Sequence, residues 1–165
     1  MAIIIEDGSI VANANSFVSE ADFNQYVTDH SIILTDTAEN LLRRAAEFIV
    51  AKETSLKGRR VDRDQALPYP RTDLTIDGWY WRSDEIPRQV TQLQILLAVD
   101  KNSGIDLYNR PEPTNKTVKR ERIEGAVEVE YSVKEGGNGR TSANSEALAL
   151  MSQLLVNNGL VLQRI

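Results

Sequence analysis

A chain of 165 residues falls within the size of one domain and is long enough to bury a real core. Hydrophobic residues make up 41% and charged residues 26%, the balance of a folded globular protein, with a net charge of −5. The absence of cysteine excludes disulfides, thiolate metal sites and cysteine nucleophiles, and a single histidine, His30, leaves a zinc centre short of its usual ligands.

In chain order, Ile3-Ile4-Ile5 predicts a strand, Asp7-Gly8 a turn, and Ile10-Val11 a resumption of the strand. Ser19-Glu20-Ala21-Asp22 reads as a capping box that opens a helix through about Asp29, with Ala21, Phe23, Tyr26 and Val27 on its apolar side. A second helix, capped by Asp36 or Thr37, runs to about Lys52 or Thr54. Its Leu41, Leu42, Ala45, Ala46, Phe48 and Ile49 recur at helical spacing and predict core.

Residues 55–86 differ in character. Gly58, Pro68, Pro70 and Gly78 interrupt any regular element, and the stretch holds several arginines and aspartates together with both tryptophans, in the cluster Trp79-Tyr80-Trp81. About 30 residues without strong periodicity is long for a passive connection. The segment is expected to pack across the helices or to reach a partner. A third helix starts near Ile86-Pro87, since proline in the first turn loses no hydrogen bond, and it fades between Asp100 and Gly104.

Asn109–Thr114 reads as a linker. Val127, Val129 and Tyr131 alternate with acids beside the basic stretch Lys116–Ile123, which predicts a strand or hairpin over 116–131. Gly136–Gly139 is a loop, and a final helix from Ser145 to about Asn158 carries Leu148, Met151, Leu154 and Leu155, with Gly159 as its C′ residue. The fold expected is a single mainly α domain over 1–165, of about four helices. It has an extended N-terminus (1–18), a long irregular segment (55–86), a small β element near 116–131 and an apolar tail (160–165).

No catalytic signature is present. There is no phosphate loop, nucleophile elbow, H-E-x-x-H or dinucleotide fingerprint, and Gly136-Gly137-Asn138-Gly139 lacks the lysine of a phosphate loop. His30, at a predicted helix end, reads as a favourable charge at the helix C-terminus or a surface hydrogen bond, since the sequence suggests no nucleophile and orienting acid to make it a catalytic base. Asp73, Asp77, Asp84 and Glu85 match no calcium-loop spacing and read as solvated. No enzyme activity, cofactor or metal is expected. No apolar run reaches the roughly 18–20 residues that span a bilayer, and the N-terminus lacks the basic flank of a signal peptide, so a soluble intracellular protein is expected.

Binding is where the residues point. Lys57, Arg59, Arg60, Arg63 and Arg71 lie close in sequence to Tyr69, Trp79, Tyr80 and Trp81, the ingredients of a single-strand platform, but aspartates interleave with them and dilute counter-ion release. The same residues suit intersubunit ion pairs with aromatic anchors. Residues 1–40 hold seven acids and no Lys or Arg, whereas residues 41–122 hold sixteen basic and twelve acidic residues, so copies could meet head to side. The candidate interface residues are Arg59, Arg60, Arg63, Tyr69, Arg71, Trp79, Tyr80 and Trp81. Lys119, Arg120 and Arg122 on the basic strand, and Leu160, Leu162 and Ile165 in the tail, complete them.

Several motifs carry a family resemblance by their order. They are Glu6-Asp7-Gly8, Ala14 to Asp22 followed by Tyr26, Leu42 to Phe48, Lys57-Gly58-Arg59-Arg60-Val61, Gln65 to Arg71, and Ile86-Pro87. Phe17 stands where the pattern has tyrosine and Tyr69 where it has tryptophan, so both keep an aromatic. Over roughly residues 1–131 the chain resembles the head–tail connector (adaptor, or head-completion) proteins of tailed phages. Some relatives are labelled DnaT-like single-stranded DNA-binding proteins.

The resemblance implies a non-enzymatic virion subunit in the neck, made in the host bacterial cytoplasm. Such subunits form a ring of twelve on the portal, join the DNA-filled head to the next neck or tail protein, and let duplex DNA pass without specific binding. The tail, or the helix before it, is then expected to dock on the portal. The label implies the competing function, binding of single-stranded DNA.

Overall fold

Hydroxyl caps start the first two helices. The computed structural model describes residues 2–108 and 145–156. The Ser19 hydroxyl oxygen accepts the Asp22 N–H at 3.0 Å to open α1 (Glu20–Asp29), and Thr37 accepts the Asn40 N–H at 3.3 Å to open α2 (Ala38–Ala51). Along α2, Leu41, Leu42, Ala45, Ala46 and Ile49 are buried, the stripe that its spacing predicts. α3 (Arg88–Asn102) begins directly after Pro87 and buries Val90, Leu93, Leu97 and Ala98. It lies between α2 and α4 (Ser145–Leu154), while α1 packs on α2. Each fully buried leucine or isoleucine in this core contributes about 1.5–3 kcal/mol.

Among the described residues, four helices with a small β component make the fold mainly α. The strands lie in the segment expected to be irregular. β1 (Arg59–Arg60) pairs antiparallel with β2 (Arg71–Thr72), and β3 (Leu74–Ile76) with β4 (Trp79–Trp81). A single 3-10 turn, Glu53–Ser55, links α2 to this region. Leu56, Leu67, Tyr69, Leu74 and Ile76 from it belong to the core, so the segment packs across the helices. The predicted linker 109–114, the β element at 116–131 and the glycine loop at 136–139 lie outside the described residues.

Instead of a strand resumed at Ile10-Val11, the N-terminus forms one parallel bridge, Ile5 to Ser16, and residues 7–15 wind around the buried side chain of Glu6. Its carboxylate accepts the N–H groups of Gly8 (2.9 Å), Ile10 (3.0 Å) and Val11 (2.9 Å). Ile10 takes φ 63°, a left-handed conformation that no strand residue adopts.

α4 stops at Leu154 rather than Asn158. The Leu154 carbonyl accepts the Lys57 N–H (2.9 Å) and the Val156 N–H bonds the Ser55 carbonyl (2.8 Å), so pairing with the neighbouring chain replaces another helical turn. On α4, Leu148 is 58% exposed, while Met151 and Leu154 are buried. No helix among the described residues is long and apolar enough to cross a membrane.

Candidate functional site

The strand pair β3–β4 is a hairpin made by Asp77-Gly78. Both residues have positive φ (51° and 79°), the requirement of a two-residue turn whose twist matches the strands. The register sets Leu74 opposite Trp81, Thr75 opposite Tyr80 and Ile76 opposite Trp79. Alternation therefore places Leu74, Ile76, Trp79 and Trp81 on one face and Thr75 and Tyr80 on the other. Leu74 and Ile76 are 0% and 1% exposed and anchor the hairpin, and Trp81 packs half-buried against the core. Trp79, at the turn, overhangs that anchor. It is 76% exposed, and Tyr80 is 66% exposed. Two large aromatics thus stand in water on a base that is locked into the fold.

Just before β3 in the chain lies a buried cation. The Arg71 guanidinium, 6% exposed, donates to the carbonyls of Lys57 (2.7 Å), Pro68 (3.1 Å) and Gly58 (2.8 Å). It also stacks over the Tyr69 ring at 5.9 Å and lies 3.7 Å from Glu53. Arg60 binds Glu53 through two donors, one at 2.7 Å, and that pairing holds the Glu53 carboxyl below its usual range. Burial pushes the Arg71 guanidinium down. Gly58 is required here: at φ 73° a Cβ would sit 2.5 Å from the Thr72 carbonyl oxygen.

Tyr69 is fully buried, edge-on to Phe17 with centroids 6.1 Å apart, and burial pushes its phenol pKa up. Its hydroxyl has no hydrogen-bond partner among the described residues. Tyr69→Phe is therefore expected to raise stability by about 1 kcal/mol in urea denaturation. A comparable loss would show that the hydroxyl has a partner.

The expected interface residues thus separate by depth. Tyr69 and Arg71 lie inside the fold, and Arg60 is held half-buried by Glu53 and the Gln65 carbonyl. Trp79, Tyr80, Arg59 and Arg63 are on the surface, and Trp81 is half-buried. Each exposed arginine of residues 55–86 has a carboxylate beside it: Arg59 with Asp73, Arg63 with Asp64 at 3.2 Å, and Arg82 with Asp84 at 2.9 Å. Residues 55–86 carry six basic and six acidic residues in all, so the surface is aromatic with balanced charge. Lys119, Arg120, Arg122, Leu160, Leu162 and Ile165 lie outside the described residues.

Elsewhere, His30 caps α1 with its Nδ1 2.9 Å from the Tyr26 carbonyl oxygen and its ring stacked on that of Tyr26 at 4.0 Å. Among the described residues, no three His, Asp or Glu side chains gather as a metal site. Sequence reasoning passed over Arg82 and the hairpin itself, although Asp-Gly between Leu-Thr-Ile and Trp-Tyr-Trp is a strong local hairpin signal.

Residues 1–164 fit the family model described as "Putative DnaT-like ssDNA binding protein". No curated protein and no solved structure matches the chain.

Proposed function

The chain belongs to this DnaT-like family, and from that premise we propose that it binds single-stranded DNA, with Trp79 and Tyr80 as the stacking platform. The observation that carries this reading is their exposure, 76% and 66%, at the tip of a hairpin whose other end is buried. Water-facing tryptophan and tyrosine on a rigid support lose little entropy when a base stacks on them, and such stacking contributes about 1–3 kcal/mol per base. Arg59, Arg63 and Arg82 can meet phosphates only by exchanging a carboxylate for them, which adds little net charge neutralisation. Binding is then driven by stacking, and its salt dependence is shallow.

Titration with a short oligothymidylate, followed by tryptophan fluorescence, tests the proposal. Quenching should saturate, and Trp79→Ala should weaken binding by about 1–3 kcal/mol, about 5- to 150-fold. Absence of binding, or binding indifferent to Trp79→Ala and Tyr80→Ala, overturns it.

A second reading has its own support. Exposed aromatics among locally neutralised arginines are also the composition of a protein interface. This suits the head–tail connector role, in which the ring subunit meets portal and neck proteins. In that case the tryptophan signal responds to purified portal protein and not to the oligonucleotide.

A further inference from the structure

A groove of about 560 Å³ lies between α1, α3 and α4, walled by Tyr26, Ile95, Leu96 and Leu150, with Glu146 on its rim. Tyr26, Ile95 and Leu150 are only half-buried, so a contiguous apolar wall faces water and calls for a cover. We propose that residues 160–165 of this same chain, Leu-Val-Leu-Gln-Arg-Ile, fill the groove by turning back along α4.

Position, reach and charge support this occupant. The described chain leaves α4 at Val156, whose N–H is fixed to the Ser55 carbonyl, so the following segment starts at the C-terminal end of the groove's own helix. Asn157-Asn158-Gly159 comes next, residue types that tolerate positive φ and reverse a chain.

An extended return that begins with Leu160 beside Leu154 advances roughly 3.3 Å per residue against 1.5 Å per residue of helix. On that register Leu162 falls beside Leu150, and Arg164 falls beside Glu146, since about 13 Å of strand covers about 12 Å of α4. Leu160 and Leu162 would then face the apolar wall. Arg164, the single cation of 157–165, would meet the carboxylate of the rim and the acids of α1, which bears Glu20, Asp22 and Asp29 and no basic residue. This inference is independent of the DNA-binding reading.

The cysteine-free chain allows a clean test. In the double variant Leu150→Cys, Leu162→Cys, mild oxidation at low micromolar protein should consume both thiols and leave the chain at monomer mass, because a disulfide forms only between Cα atoms within about 7 Å. A disulfide-linked dimer means that a second copy fills the groove and overturns the proposal, as do thiols that stay free. If the cysteines disturb folding, Leu160→Asp, Leu162→Asp in the full chain serves instead. The methyl resonances of Ile95, Leu96 and Leu150 should move while those of Leu74 and Ile76 stay, and unmoved groove methyls overturn it.

Discussion

Glu6→Ala is expected to lower the unfolding free energy by about 4 kcal/mol, since three backbone donors lose their acceptor and each unmatched buried donor costs about 1–3 kcal/mol. Gly8 is buried and Ile10 and Val11 are half-buried, so water can repair only part of the loss. Glu6→Gln is the informative companion. Its carbonyl oxygen can keep the bonds to Gly8 and Ile10, while its amide would face the Val11 N–H, so about half of the loss should return.

The loop held by Glu6 seats Gly8 against the segment after β4. A Cβ on Gly8, at φ 106°, would lie 2.2 Å from the Asp84 carbonyl oxygen. Ile5 and Glu6 share a recess with Trp81, so the tryptophan emission should shift along with the stability. Urea denaturation showing a loss below about 1 kcal/mol for Glu6→Ala would mean that the loop's N–H groups are satisfied by solvent.

Gln94→Leu is expected to cost about 3 kcal/mol despite its apolar character and similar size. Gln94 is fully buried on α3 and joins three elements. Its Oε1 accepts the Phe17 N–H at 2.8 Å, and its Nε2 donates to the Ser16 hydroxyl at 2.8 Å and the Leu42 carbonyl at 2.9 Å. Leucine fills the space but leaves the Phe17 N–H without a partner inside the core. Gln94→Glu keeps that acceptor yet turns an oxygen toward the Leu42 carbonyl and buries a charge, so at neutral pH it should be worse than leucine. Acidification should recover part of the difference, because a protonated carboxyl can donate. If leucine is tolerated within about 0.5 kcal/mol, the amide is not the joint between the N-terminal segment and α2.

Helices were legible because their signals are local. Ser19 and Thr37 cap where their types and positions say, the α2 stripe is buried as spaced, and Pro87 stands before α3. The ends were less legible. α4 stops early because residues nearly 100 positions away, Ser55 to Lys57, offer its backbone better partners. In the site, the aromatic cluster was visible as composition, but its division was not. Tyr69 and Trp79 are both aromatic and each has an arginine two or three residues further on, yet one is buried in the core and the other stands in solvent.

By itself the sequence determined a mainly α chain without thiol chemistry and with an aromatic, arginine-bearing segment, because caps, helical periodicity and composition act over a few residues. Only the tertiary structure decided which polar side chains went inside. Glu6, Gln94 and Arg71 are buried because backbone groups from distant segments converge on them, and a lone polar residue in a sequence carries no record of that convergence. The same packing sank Tyr69 and left Trp79 and Tyr80 at the surface, where a partner can reach them.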